Sequence, residues 1–287
     1  MPEHHHATER RSRERRDQAG SNPPADRWAT AITDIHPNRI VIRGYPVDEM
    51  MGRLSFAEAI YLLLRGELPS PTIGRLFGAV LVSSLDHGTT PPSTIAARNV
   101  ATTGAAIRDC VSAGVVGFGQ YHGGDIESCM RFLAEGLAHV RAGASYQEAA
   151  RRVAECCLNA NQRPAGFGHR IHNQDPRATR LLELAHDLEL DGEHVRLIRE
   201  IQRVLDARPD RETNPLPLNI DGAIAAVCAD LGFDPELGNG LFIIARTPGL
   251  VAHAHEERQR QRPMRRVEGG SCVYDGPPER RLPDTRT

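Results

Sequence analysis

From Trp28 onward the apolar positions recur at helical spacing, and strict alternation never lasts beyond a few residues. Ser55 is placed to cap a helix over Phe56–Arg65 that stops at Gly66. A second helix over Pro71–Leu85 is dense in Leu, Val and Ala, which predicts burial. Further helices are predicted at 93–106, 125–140, 146–160, 178–189, 193–207, 223–231 and from Pro235 to about Glu257. One short extended piece is predicted at 40–45, closing at Gly44. Gly114 to Gly124 holds five glycines and reads as a loop around Tyr121-His122. The predicted fold class is all-α. Residues 1–26 carry almost no large apolar side chain and are predicted to be a disordered tail. After Arg258 the chain turns rich in Arg and Pro and is predicted to be loose or to lie on a neighbour.

Composition narrows the chemistry. The chain has 287 residues and a formal net charge of −2, which predicts no nucleic-acid and no membrane partner. No apolar run is long enough to span a bilayer, and the N-terminus lacks a signal-peptide core. Six cysteines without a CxxC pair read as reduced thiols of a cytoplasmic protein. All 35 Lys+Arg positions are arginine. Schiff-base chemistry through lysine and a Walker A phosphate site are therefore excluded. An anionic ligand must be held by arginine, histidine, backbone amides or a metal.

The densest candidate chemistry lies in Pro164–Arg177. Gly166 and Gly168 allow close backbone approach, and their amides can face a phosphate, an adenine edge or an oxyanion. His169 follows as a titratable ring, and Arg177 offers a planar fork for a carboxylate. His87, His122 and Asp221 also stand at Gly or Pro breaks. Three histidines and an aspartate could ligate a metal, but their spacings match no familiar ligand set, so no metal is expected. His255-Glu256 begins an HExxH pattern that fails at Gln259.

Several segments, in order, resemble the citrate synthase family and its short citryl-CoA lyase-like branch. They are Arg43-Gly-Tyr45, Ser55 to Pro69, Asp86-His87 with Ser93-Thr94 and Arg98, and His122-Gly-Gly124. They continue with Gly166-Phe-Gly-His-Arg170 and Asp175-Pro-Arg177, Asn219-Ile-Asp221, and Ala245-Arg246 with Gly249 and Ala252-His253. The resemblance runs from about Ile32 to Tyr274.

What the resemblance implies is a homodimer that makes or breaks the carbon–carbon bond between acetyl-CoA and oxaloacetate. Asp221 would be the base, His122 a donor to the thioester oxygen, and His169 the group that polarises or protonates the ketone. His87, Arg177 and Arg246 would hold oxaloacetate, joined by Arg265 or Arg266 reaching the partner's site. The Gly166-Phe167-Gly168 backbone would receive the CoA moiety. The CoA thioester is a substrate, and no permanently bound cofactor is implied. The implied domains are a large one of 27–125 plus 226–287 and a small one of 126–225.

Departures from the usual synthase pattern favour citryl-CoA cleavage. Asp125 follows the HGG segment where a small residue is usual, Gly222 follows Asp221, and Leu250 stands where synthases tend to carry Trp. Citrate or methylcitrate synthesis is the alternative within enzymes. A non-catalytic CoA- or carboxylate-binding subunit is the alternative of another class.

Overall fold

The computed structural model describes residues 29–119, 121–209, 215–265 and 275–281. The expectations for residues 1–26 and for Arg266 lie outside the described residues. The chain divides into two compact units, one ending at Pro69 and one beginning at Ser70.

The first unit departs from the all-helical expectation by one small sheet. Strands β1 (Thr33–His36), β2 (Arg39–Ile42) and β3 (Tyr45–Pro46) pair antiparallel in that order. Asn38, at φ 61, closes the first turn with His36 opposite Arg39. The second turn needs positive φ at both Arg43 (48) and Gly44 (90). Arg43 tolerates this because its amide donates to the Ile32 carbonyl at 2.8 Å and its guanidinium donates to the Leu63 carbonyl at 2.8 and 3.1 Å. Strands of two to four residues are too short to show alternation, which is why the pattern revealed only one of them. A short helix α1 (Val47–Met50) follows, then α2 (Phe56–Arg65). Ser55 and Glu58 form a capping box on α2, and Gly66 ends it at φ 83.

The second unit is helical. Its elements are α3 (Pro71–Ser83), α4 (Pro92–Ala101), α5 (Ile107–Val116), α6 (Asp125–Arg141), α7 (Tyr146–Asn159), α8 (Pro176–Asp187), α9 (Glu193–Asp206), α10 (Ile220–Asp230) and α11 (Pro235–Arg260). α10 is its centre. Ile220 and every residue from Gly222 to Cys228 are buried, because α3, α6, α8, α9 and α11 all pack on it. Ala and Gly fill most of that stretch, so five neighbours can approach closely. α9 by contrast buries one stripe, Val195, Leu197, Ile198, Ile201 and Leu205, with Arg and Glu outward. Fully burying one such aliphatic side chain stabilises by roughly 1.5–3 kcal/mol.

Two sequence expectations shift here. α5 runs through Gly114, which the glycine count had assigned to a loop. A Cβ on Gly114 would stand 2.9 Å from Leu250 and 3.1 Å from the Ser93 carbonyl, so this glycine serves packing. α10 starts at Ile220, three residues before the expected start at 223, because the Asn219 side chain accepts the Gly222 amide at 3.0 Å and caps it. Asp221 therefore sits in the first turn of the central helix. Among the described residues, no helix is long and apolar enough to cross a membrane.

Candidate active site

Four breaks between helices and the middle of α11 converge on one cleft of about 310 Å³. His87, His122, His169, Arg177, Asp221 and Arg246 all line it. Tyr121, 93% exposed, stands at its rim.

Asp221 is held by the cap on α10, partly open to the cleft and otherwise surrounded by protein. Burial raises its carboxyl to about 6, the Asp125 charge adds to this, and Arg177 and Arg246 partly oppose it. A carboxyl poised near 6 exchanges a proton readily close to neutral pH.

His122 follows a tight turn in which it and Gly119 exchange backbone hydrogen bonds at 2.9 Å. Its ring packs at 5.3 Å from Phe118 and 6.1 Å from Phe242. Ser93 Oγ lies 2.7 Å from its Nε2. Burial, then the charges of Arg246 and Arg170, depress it to about 4, so the ring is neutral at pH 7.

His169 is oriented by its own loop. The Ile171 and His172 amides both donate to its Nδ1 at 3.0 Å. Nδ1 is thus an acceptor, and the neutral ring must carry its proton on Nε2. Burial first, then His172, lowers its pKa. His87 stands beside it edge-on, ring centres 5.7 Å apart, and is likewise lowered by burial and by Arg177 and Arg246.

The two arginines differ. Arg246 on α11 is 2% exposed, donates from Nε to the Ser84 carbonyl at 2.7 Å, and packs over Phe242. Its buried Nη1 has no protein partner among the described residues. An unmatched guanidinium edge in a closed cleft suits a carboxylate. Arg177 already grips Asp175 in a two-point pair, Nε–Oδ1 3.0 Å and Nη2–Oδ2 2.8 Å.

Asp175, named in the sequence only as part of the Asp-Pro-Arg segment, organises this side of the cleft. It caps α8, accepting the Arg177 amide at 3.0 Å, and its Oδ2 also accepts the Ile220 amide at 3.1 Å. One carboxylate thus ties Arg177 to the start of α10. Burial alone would raise it, but the Arg177 bonds and charge and the Ile220 amide outweigh that and hold it below the usual carboxylate range. The Asp-Pro-Arg order, with Pro at the first helical position, was the available signal.

The glycine loop differs from its reading as a free amide nest. Gly166 and Gly168 adopt φ 83 and 86, but both amides are spent internally. Gly166 donates to Asp125 Oδ2 at 3.1 Å, and Gly168 donates to the Pro217 carbonyl at 2.7 Å. Phe167 is fully buried, and of the three only Gly168 lines the cleft. Both amides are taken up within the protein, and the loop packs on α10. A Cβ on Gly166 would stand 2.6 Å from the Gly222 Cα.

Arg265 does not line this cleft; its Nε donates to Glu257 Oε1 at 2.6 Å. Buried Glu257 also binds Arg98, and the Met264 amide donates to the Thr102 carbonyl at 2.8 Å. The segment after α11 thus folds back on its own chain through residue 265. Sequence reasoning also left out Phe242 and Arg163, which line the cleft and carry no motif of their own, and gave Arg170 of the Gly166–Arg170 motif no role, although it lines the cleft too.

The chain is similar to known proteins in sequence and fold. Residues 69–267 match the family model described as the C-terminal domain of citrate synthase. Citrate synthase 2 of Bacillus subtilis is 31% identical over 229 residues, which are 79% of this chain and 57% of that protein. The chain spans little more than half the length of the curated relatives it matches. The structure of citryl-CoA lyase from Hydrogenobacter thermophilus aligns with a TM-score of 0.80 at 42% identity, covering 89% of this chain and 97% of that one. Citrate synthase from Pyrobaculum aerophilum aligns at 0.65 and 25% identity, covering 80% and 55%. The family match over most of the chain and the site geometry agree: this chain belongs to the citrate synthase family, on its citryl-CoA lyase-like branch.

Proposed function

We propose that the protein cleaves citryl-CoA to acetyl-CoA and oxaloacetate, with Asp221 as the proton-transfer group at the acetyl carbon. The observation that carries this reading is the pairing in one cleft of a carboxyl raised to about 6 with a histidine whose Nε2 must be the donor. In cleavage, the bond between the methylene and carbinol carbons breaks and its electron pair passes into the thioester enolate. The carbinol hydroxyl becomes the ketone of oxaloacetate and gives its proton to the neutral His87 ring. His169 donates from Nε2 to the same oxygen, and His122 donates to the thioester oxygen. The enolate carbon then takes the Asp221 proton. Acid–base assistance of this kind contributes about 10²–10⁴-fold. In the reverse direction, ionised Asp221 is the base.

Arg246, His87 and Arg177 hold the oxaloacetate end, and Asp175 presets Arg177. The CoA thioester is substrate, and the steps as written use no resident cofactor or metal. A large part (27–125 plus 226–287) and a small part (126–225) form a cytoplasmic homodimer, with Arg265 or Arg266 reaching the partner's site. Leu250 and the full-length similarity to the citryl-CoA lyase support cleavage over synthesis. The test mixes the purified protein with citryl-CoA, and separately with acetyl-CoA and oxaloacetate. Oxaloacetate release without free thiol supports the lyase, free thiol marks a synthase, and neither product refutes an enzymatic reading.

A further inference from the structure

We propose that Asp125 is a positioning residue of this site, clamping the Gly166 turn against α10 and governing through its charge the proton carried by Asp221. The inference rests on the role of Asp221 given above. Asp125 is the first residue of α6 and lines the cleft. Its Oδ2 accepts the Gly166 amide at 3.1 Å and Arg163 Nη2 at 3.2 Å. On the other side of that turn, the Gly166 carbonyl accepts the Asn219 amide at 3.0 Å. The turn is squeezed between α6 and α10, since a Cβ on Gly166 would stand 2.7 Å from Cys129 Sγ and 2.6 Å from the Gly222 Cα. A single layer of backbone therefore separates the Asp125 carboxylate bond from the helical turn that carries Asp221. Asp125 takes the very amide that a glycine-rich loop would otherwise offer to a ligand.

The charges that face Asp221 come from three helices. Asp125 lies on α6 with the neutral thiol of Cys129, Asp175 and Arg177 lie at the start of α8, and Arg246 lies on α11. Arg177 is already matched by Asp175. The Arg163 side chain that pairs with Asp125 is 51% exposed, so solvent weakens its compensation. Asp125 thus acts on Asp221 as a negative charge in a partly closed site, where a like charge disfavours the carboxylate and so favours the protonated carboxyl. The protonated carboxyl is the form that cleavage needs, because the enolate carbon must receive a proton. A helix-start carboxylate would also stabilise α6 through its dipole alone, so the test must separate the two roles.

Asp125→Asn keeps an oxygen for the Gly166 amide and removes the charge. Two reactions are followed across pH: citryl-CoA cleavage, which needs protonated Asp221, and exchange of acetyl-CoA methyl hydrogens in the presence of oxaloacetate, which needs it ionised. The variant should lose cleavage on the alkaline limb by on the order of tenfold. The acid limb of exchange should move to lower pH, so exchange is kept or gained where cleavage is lost. The carboxyl stretch of Asp221, read by infrared difference against Asp221→Asn, should lose its protonated band at lower pH than in the parent. Asp125→Ala should show the same displacement together with a lower thermal midpoint, because it also loses the acceptor. Parallel loss of both reactions at every pH, or an unmoved Asp221 band in folded Asp125→Asn, would overturn the inference. Should the parent fail to cleave citryl-CoA, the functional reading falls, while the infrared titration still decides the role of Asp125.

Discussion

Ser93 Oγ stands 2.7 Å from His122 Nε2, and this contact fixes which ring nitrogen is presented to the cleft. When Ser93 donates to Nε2, the neutral ring carries its proton on Nδ1, the tautomer that can donate from there to the thioester oxygen. Ser93→Ala removes that lock and leaves a partly buried nitrogen unmatched, at about 1–3 kcal/mol. Turnover should fall roughly ten- to hundredfold with little change in KM. Unchanged turnover would mean that the tautomer is set elsewhere.

Asp221→Asn should abolish cleavage and yet stabilise the fold at neutral pH. The folded carboxyl titrates near 6 against an ordinary value of 3.8, so the folded state binds the proton more tightly. Ionising it therefore costs stability as pH rises from about 4 to 6, up to about 3 kcal/mol above that window. The amide escapes this cost. Urea unfolding at pH 5 and pH 7.5 should show the variant's advantage growing with pH, and a constant difference would contradict the raised carboxyl.

His122 has the opposite sign. Its value near 4 lies below the ordinary 6.5, so its contribution to stability is intact above 6.5 and is lost as pH falls toward 4. His122→Gln should flatten the acid side of the stability profile. An unchanged acid limb would place that loss on other groups.

Arg246→Lys keeps charge but loses the fork and the Nε bond to Ser84. Oxaloacetate affinity should weaken, and Arg246→Leu should weaken it more, since losing one partner of a desolvated charge pair costs about 2–5 kcal/mol. Separate calorimetric titrations with oxaloacetate and CoA check this. Equal weakening of both ligands would mark Arg246 as a packing residue of α11.

Asp175→Asn should damage two sites at once, because Arg177 and the Ile220 amide share that carboxylate. A loss of roughly 2–4 kcal/mol is expected at pH 7, less than a fully buried pair since Arg177 remains partly open. The depressed carboxyl contributes above the ordinary aspartate value and loses its contribution as pH falls, so variant and parent should converge in acid. Thermal midpoints at pH 7 and pH 3.5 would show a constant gap if the effect were steric.

The helices were legible because their caps are written in the sequence. Ser55 and Ser145 each begin a box with Glu three residues on, whereas the helices capped by Asp175 and Asn219 begin two and three residues before the expected starts. The six cleft residues were named from motifs. What remained hidden depends on partners distant in the chain. Gly114 reads as a breaker until Leu250 is seen against it, and the Gly166 amide reads as free until Asp125 is found beneath it. The paired turns at Asn38 and Arg43 escaped because their strands are too short to carry a period.

α11 sets a register. Arg246, His253 and Glu257 are spaced by seven and four residues, so they share one face over about 16 Å of rise. Along that face Arg246 meets the Ser84 carbonyl, His253 Nε2 meets Asp86 Oδ1 at 2.9 Å, and Glu257 gathers Arg98 and Arg265. Inserting one residue between Arg246 and Glu257 would turn the later positions by about 100° and unhook both downstream anchors together. Natural or engineered lengthening of this helix is thus confined to its ends, because its middle does not tolerate a change in residue number.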